Sequence, residues 1–236
     1  MDFFVSTKIR TDKEELMDDF SIGGNLLRDT LDKLEKINRC LGGNLVTVKA
    51  LKKALKNHPK EQELTIVDIG CGHGDILRDV AKFGRKNGYK MKLIGMDANP
   101  NAIAYAKELS KEFSELTFKT EDIFSEEFKN RKFDVVLATL FLHHFKEKQL
   151  ISFLGNTLQQ TKIAIVVNDL HRHKLAYYLF MLLSLFIKNT MIIEDGLTSV
   201  LRGFKRKDLE SISKKLNVKS QISWKWAFRF QWIIQK

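Results

Sequence analysis

The sequence contains little proline and little cysteine. Only two of its 236 residues are prolines and two are cysteines, whereas hydrophobic residues make up 44%. This composition excludes a disordered or low-complexity chain and predicts a globular protein. Cys40 and Cys71 lie far apart in the sequence, so they indicate neither a disulfide framework nor a zinc cluster. We therefore expect a reducing compartment and a cytoplasmic location.

Long hydrophobic runs are also missing. The chain opens with an early acid, Asp2, and without an extended apolar core, so we expect no secretory signal. One uncharged segment, LAYYLFMLLSLFI at residues 175–187, is too short to span a bilayer. We expect it to form a buried helix, a lid over an apolar pocket, or a surface that makes peripheral contact with a membrane.

Acidic residues become scarce towards the end of the chain. The formal net charge is +11, and residues 201–236 contain ten Lys or Arg against only Asp208 and Glu210. Such a segment could contact RNA or an anionic membrane. Because the charges alternate with Ile, Trp and Phe, an ordinary solvated face is the favoured interpretation. We expect no DNA partner, and the sequence indicates no oligomeric state.

Two kinds of periodicity divide the chain. Leucines at helical spacing predict helices from about residue 13 to residue 57, and residues 1–60 are interpreted as an N-terminal helical cap. From residue 64 onwards, short apolar runs alternate with helical patterns, which predicts a doubly wound parallel α/β sheet in residues 61–236. An antiparallel hairpin is expected at the end, and residues 173–204 are expected to form an apolar lid. The predicted strands are 64–69, 91–96, 116–119, 133–138, 163–167, 218–224 and 228–234.

A glycine-rich loop, IVDIGCGHGD, follows the first predicted strand at residues 66–75. Ligands of open parallel sheets bind at the carboxyl ends of strands, and glycines let a ligand lie against the main chain. The spacing G-x-G-x-G differs from the dinucleotide fingerprint G-x-G-x-x-G. Asp68 and Asp75 would repel a pyrophosphate, at about 1–4 kcal/mol for each pair of unit charges 4 Å apart. They would attract S-adenosylmethionine, which carries an ammonium and a sulfonium.

Acids also follow the second and third predicted strands. Asp97 ends the second strand, where a carboxylate can accept both ribose hydroxyls. Asp122 precedes Ile123, so the acid can accept an adenine amino group while the isoleucine packs on the ring. The three acids occur in the order that a nucleoside-containing cofactor requires.

The order DIGCGHG, MDANP, EDIF and FDVVLATLFLHHF resembles class I S-adenosylmethionine-dependent methyltransferases over residues 64–169. The resemblance implies a seven-stranded Rossmann-like sheet of order 3-2-1-4-5-7-6 with an antiparallel last strand, and S-adenosylmethionine as the cofactor. Residues 37–43, Asp195-Gly196, Phe204 and Leu209 are similar to the small-molecule branch that acts on quinone- or polyketide-type rings. The implied cofactor-binding residues are Asp68, Gly70, Cys71, Gly72, Gly74, Asp97, Ala98, Asp122, Ile123 and Ala138.

The residues after the fourth strand bear on the acceptor. The segment Ala138-Thr139-Leu140-Phe141 stands where enzymes that methylate exocyclic amines usually carry D/N-P-P-Y. With the aromatic 175–187 segment, this favours methylation of an O or C atom of a hydrophobic aromatic, phenolic or polyketide-derived small molecule. The alternatives are an RNA or protein methyltransferase that uses the basic C-terminal face, and a non-catalytic domain that binds S-adenosylmethionine.

Histidines follow the fourth and fifth strands and are candidate general bases for a phenol or enol acceptor. The candidates are His143, His144 and His171, although a histidine at such a place can also pack or cap a helix. His171 and His173 beside Asp169 could suggest a metal, but their i, i+2 spacing offers no third partner. We therefore expect no metal site.

Overall fold

The computed structural model describes residues 5–236; the first residues, on which the expectation of no secretory signal rests, lie outside this range. Its sheet has the order β3-β2-β1-β4-β5-β7-β6. All neighbouring pairs are parallel except β5 with β7 and β6 with β7. The predicted Rossmann-like order and the terminal hairpin are therefore confirmed. The strands are β1 Leu64–Ile69, β2 Met91–Asp97, β3 Leu116–Thr120, β4 Phe133–Thr139, β5 Thr161–Leu170, β6 Lys219–Lys225 and β7 Arg229–Gln235.

Helices cover both faces of this sheet and form the cap. Local signals set several of their ends: the Asn99 side chain accepts hydrogen bonds from two N–H groups of the first turn of α4, which begins with Pro100. The helices are α1 Gly24–Cys40, α2 Gly43–Ala54, α3 Asp75–Asn87, α4 Pro100–Leu109, α5 Glu126–Lys129, α6 Glu147–Gln160, α7 Lys174–Ser184, α8 Thr190–Arg202 and α9 Arg206–Lys215.

Two hydrophobic clusters sandwich the sheet. Successive side chains of a strand point to opposite faces, so Ile66 of β1 enters one cluster and Val67 enters the other. Both residues are fully buried, which explains the continuous apolar run of this strand. Leu51 and Leu55 join the cluster of Ile66, so the second helical segment of the predicted cap contributes to the main core.

The prediction of helix from residue 13 onwards is wrong for the first part of the cap. Before α1, residues 13–23 contain only a short 3-10 helix, Leu16–Asp18. Long-range contacts hold this stretch: the Asp195 carboxylate accepts the N–H groups of Leu16 and Met17, at 2.6 and 3.0 Å. Arg10 Nε donates to the carbonyl of Arg202 at 2.7 Å. We call residues 5–23 the N-terminal strap.

The uncharged segment at 175–187 is not a buried helix. Within α7, Ala176 and Ser184 are buried, but Leu175, Leu179 and Leu182 are 51%, 46% and 57% exposed. The apolar residues of this segment therefore lie on both the inner, packed face of α7 and its outer, exposed face. In residues 5–236, no helix has both the length and the apolarity needed to cross a bilayer.

Candidate active site

A cavity of about 2080 Å³ opens at the carboxyl ends of the parallel strands. Its lining includes a residue just after each of β1 to β5, namely Gly70, Ala98, Glu121, Leu140 and His171. The N-terminal strap, the inner face of α7 and the β6–β7 turn close its other sides. Sites for one drug-sized ligand usually measure about 300–1,000 Å³. The cavity therefore has room for two ligands side by side.

The glycine loop between β1 and α3 requires glycine for more than one reason. Gly70, Gly72 and Gly74 have φ angles of +69°, +52° and +79°, in the left-handed region. A Cβ atom on Gly70 would lie 2.2 Å from the Phe141 ring, and one on Gly74 would lie 2.6 Å from Phe118. These two glycines therefore make room for rings of the protein itself. A Cβ atom on Gly72 would meet only Leu31, at 3.4 Å, among the described residues beyond its chain neighbours, so this part of the loop is open to a ligand.

Three carboxylates surround this loop, Asp68 fully buried and Asp75 and Asp97 partly buried. Asp68 is 1% exposed, and its side chain has no hydrogen-bond partner among residues 5–236. Burial, reinforced by Asp75 and Asp97, raises the pKa of Asp68 well above its usual value. Burial also raises the pKa of Asp75 and of Asp97. A buried acid such as Asp68, with acidic neighbours and no ion-pair partner among residues 5–236, favours a positively charged ligand, which fits the ammonium of S-adenosylmethionine.

The other predicted cofactor residues lie along the same edge. Asp97 accepts the N–H groups of Gly72 and Asn99, both at 2.9 Å, so it ties the loop after β1 to the loop after β2. Asp122 accepts the N–H of Phe124 at 2.9 Å. Both acids line the cavity, as do the predicted residues Cys71, Ala98 and Ile123.

The expectation for Ala138 requires correction. Its side chain lies in the core at 1% exposure, because this position of β4 faces the second hydrophobic cluster. Thr139 and Leu140, the next two residues, line the cavity in its place.

His143 forms a buried charged group rather than an accessible base. Its Nδ1 lies 2.7 Å from Asp169 Oδ1, and its Nε2 lies 3.5 Å from Glu15 Oε1. Burial opposes the imidazolium, but Asp169 and Glu15 outweigh it and raise the pKa of His143 to about 9. In turn, despite burial, His143 lowers the pKa of Asp169 and of Glu15. At neutral pH His143 is therefore protonated and joins the strap to β5.

His144 has the arrangement of a general base. Its Nδ1 lies 2.7 Å from Asp18 Oδ1. Despite burial, the bond to His144 lowers the pKa of Asp18, so this carboxylate accepts and Nδ1 donates. In a neutral imidazole this leaves Nε2 as the proton acceptor. Arg202 Nη1 donates to the other oxygen of Asp18 at 2.7 Å, which fixes the pair at the cavity wall.

His171 lies in a different environment. Its Nδ1 accepts the indole N–H of Trp224 at 3.3 Å, and its ring packs edge-on against Phe230. Burial, together with His173, Lys205 and Arg172 nearby, lowers its pKa to about 4. A base with so low a pKa is a weak proton acceptor at neutral pH.

One group of side chains has the composition of a metal site. Ligand atoms of Glu15, His143 and His144 all lie within 4.8 Å of one another. However, Arg202 Nη1 is 3.8 Å from Glu15 Oε1 and also pairs with Asp18. The guanidinium already supplies positive charge there, so the absence of a metal stays our prediction.

Four residues around these histidines were not predicted from the sequence: Arg10, Glu15, Asp18 and Arg202. Arg10 Nη2 donates to the carbonyls of His143 and Phe145 at 2.8 and 3.0 Å. The residues of the strap carry no motif and fit no periodicity, so only the concentration of charge in TDKEELMDD hinted at a role.

Comparison with known proteins identifies the family. A family model described as a methyltransferase domain matches residues 60–182, just over half of the chain. The chain belongs to this family. It is a class I S-adenosylmethionine-dependent methyltransferase, as the resemblance implied. No curated protein sequence matches it.

Solved methyltransferase structures share the fold of this methyltransferase at low identity. The plantazolicin methyltransferase BpumL in complex with S-adenosylhomocysteine (SAH) is 16% identical, with a TM-score of 0.68 over 89% of this chain and 90% of its own. The CurJ carbon methyltransferase is 14% identical, with a TM-score of 0.62 over 82% of this chain and 53% of its own. Magnesium protoporphyrin IX methyltransferase (ChlM) from Synechocystis PCC 6803 with bound SAH is 16% identical, with a TM-score of 0.56 over 82% and 84%.

Proposed function

We propose that this methyltransferase transfers a methyl group to an oxygen, or an enol carbon, of a hydrophobic small molecule. The observation that carries the proposal is the continuity of one cavity. The cavity joins the acidic glycine loop to the His144–Asp18 pair and to the apolar inner face of α7. The proposed cofactor site, the proposed base and an apolar wall therefore border a single cavity.

The cofactor end is assigned to the residues that fit a cationic nucleoside. Asp68 would face the ammonium, Gly72 would lie against the methionyl part, Asp97 would hold the ribose, and Asp122 with Ile123 would meet the adenine. When bound, S-adenosylmethionine supplies a methyl group already activated by its sulfonium. The protein must then align the acceptor and exclude water.

The base is assigned to His144. Asp18 holds its Nδ1–H, so Nε2 can take the proton of an acceptor hydroxyl and leave the oxygen, or the conjugated carbon, as the nucleophile. His143 and His171, the other candidates, serve less well because one is held protonated and the other is a weak base.

The apolar wall supports a hydrophobic acceptor. Ala176, Phe180 and Leu183 line the cavity from α7, and Gly196 of α8 accommodates the Phe180 ring. The names of BpumL and ChlM state plantazolicin and magnesium protoporphyrin IX, both small molecules, as their substrates. An RNA substrate has less support: Arg229 is buried, while Arg206 and Lys215 pair with Glu210 and Glu147.

Methyl transfer from radiolabelled S-adenosylmethionine to a panel of alkylated phenols and quinols tests the proposal. His144→Ala should lower kcat by about 10²–10⁴-fold, the usual contribution of general-base catalysis, and leave SAH affinity unchanged in a calorimetric titration. His58→Ala, which removes a histidine outside the cavity, is the matched control and should change neither value.

Three outcomes would count against the proposal. Failure to bind SAH would remove the cofactor assignment. SAH binding without any product from the panel would favour a non-catalytic cofactor-binding domain. Equal activity of His144→Ala and the wild-type protein would remove the base.

A further inference from the structure

The outer face of α7 presents an apolar surface, most of which lies outside the cavity. Leu175, Leu179 and Leu182 follow one another at i, i+4 and i+7, which places them on one stripe of the helix. Just after the helix, Leu185 and Phe186 are 75% and 81% exposed. Contiguous exposed apolar surface of this kind usually marks an interaction site.

Two exposed tryptophans, Trp224 at the end of β6 and Trp226 in the β6–β7 turn, belong to the hairpin that packs at the start of α7. Trp224 and Trp226 are 47% and 66% exposed. The turn packs against the start of α7: the Phe228 ring stacks on His173 with centroids 5.3 Å apart, and His173 caps the helix. We call the exposed residues of α7, the two residues after it and the two tryptophans the apolar patch.

The segments that form the apolar patch contain basic residues and almost no acidic ones. No acidic residue occurs between positions 170 and 193, or between 211 and 236. Lys174 and Lys188 flank α7, and Lys225 lies between the two tryptophans. Within the described residues, none of these lysines forms an ion pair. This combination matches the surface of an anionic bilayer. Leucines can contact the acyl chains, tryptophans the headgroup boundary, and lysines the lipid phosphates.

We propose that the apolar patch binds the surface of an anionic membrane peripherally. Single-stranded RNA fits less well, because it stacks on aromatic platforms, whereas aliphatic residues make up most of this surface. A second copy of the chain is also disfavoured, because its patch would carry the same uncompensated lysines.

The position of the cavity connects the apolar patch to the entry of the acceptor. Leu179 of the outer stripe and Trp226 both line the cavity, so its mouth borders the apolar patch. A lipid-soluble acceptor could then enter from the bilayer without crossing water. This last step rests on the proposed function, whereas membrane binding itself does not.

Co-sedimentation of the full chain with vesicles tests the proposal. The protein should bind vesicles of about 30% phosphatidylglycerol in phosphatidylcholine at low salt, and should bind pure phosphatidylcholine at least tenfold more weakly. Leu182→Ser should weaken binding about five- to tenfold. Leu45→Ser is the matched control: Leu45 is 58% exposed, against 57% for Leu182, and does not line the cavity. Lys174→Gln, Lys188→Gln and Lys225→Gln should each weaken binding up to about fivefold.

Several results would overturn the proposal: no vesicle binding, equal losses in the Leu182 and Leu45 variants, or retention only by single-stranded RNA. Light scattering that shows a dimer abolished by Leu182→Ser would assign the patch to a second copy and also overturn it. SAH binding is measured on every variant and should not change. Loss of vesicle binding with SAH binding intact contradicts only the membrane proposal, whereas failure of the wild-type protein to bind SAH contradicts only the proposed function.

Discussion

At the scale of single residues, Asp68 shows a conflict between stability and function. The carboxylate is buried without a hydrogen-bond partner, and Asp75 and Asp97 add negative charge nearby. Such a group destabilises the protein that lacks ligand, because burial disfavours its charge. The role that we propose for it, binding the ammonium of the cofactor, would supply the missing positive charge.

Asp68→Asn should therefore improve stability and impair binding together. We expect the ligand-free protein to gain about 1–3 kcal/mol in free energy of unfolding, since a buried acid whose ionisation is disfavoured is replaced by a neutral amide. SAH affinity should fall by about 30-fold or more, since a buried charge pair is lost. Urea unfolding and calorimetric titration measure the two effects.

Asp134→Asn is the control for this prediction. Asp134 is also buried in a central strand, but it accepts Thr65 N–H at 2.7 Å and pairs with Lys162 at 3.1 Å. Its replacement should lower stability and leave SAH affinity unchanged. A loss of stability in Asp68→Asn would contradict the idea that Asp68 is a poorly compensated charge.

At the scale of elements, the N-terminal strap depends on charged groups that titrate. The folded-state pKa of His143 is raised to about 9, from about 6.5 in an unfolded chain. Its stabilising contribution is therefore complete below pH 6.5 and is lost as the pH rises through about 9. Glu15 and Asp169 have lowered pKa values, so their contribution is present above about pH 4 and is lost on acidification.

The destabilisation caused by His143→Gln should accordingly be largest near pH 6 and should shrink by up to about 3 kcal/mol at pH 10. Urea unfolding at the two pH values measures it. His58→Gln should cost the same small amount at both. A pH-independent effect of His143→Gln would mean that packing, and not charge, explains the role of this ring.

The elements also show which parts of the fold could be predicted from the sequence. The ends of β1 and the starts of β2, β3 and β4 agree with the apolar runs, because each buried strand has a local composition that identifies it. The strap had no such signal. Asp18 meets His144 across 126 residues of chain, and no spacing rule connects positions so far apart.

The candidate site divides in the same way. The acids after β1, β2 and β3 could be predicted, because strand order alone brings them to one edge. Gly70 and Gly74 were predicted to bind the cofactor, and the structure adds a second reason for glycine there, because a Cβ atom would meet the Phe141 or Phe118 ring. Of the three alternatives for residues 175–187, the buried helix was wrong, because composition shows how apolar a helix is and not how many of its faces are covered.

At the scale of the whole molecule, cofactor binding should raise the free energy of unfolding and the Tm. At an SAH concentration of 100 times Kd, a ligand that binds only the folded state adds about 2.7 kcal/mol. For a chain of this size that corresponds to a rise in Tm of roughly 5–10 °C. Differential scanning fluorimetry measures the shift. Addition of EDTA should leave it unchanged, since we expect no metal; loss of the shift with EDTA would point to a metal at Glu15, His143 and His144.

The acids at the glycine loop should also couple cofactor binding to the release of protons. Their raised pKa values mean that part of the ligand-free population holds protons that a bound cation would displace. Binding should therefore release protons, and affinity should increase with pH until these acids are fully ionised. The buffer would take up these protons. The apparent binding enthalpy of the cofactor would then differ between buffers according to their ionisation enthalpies.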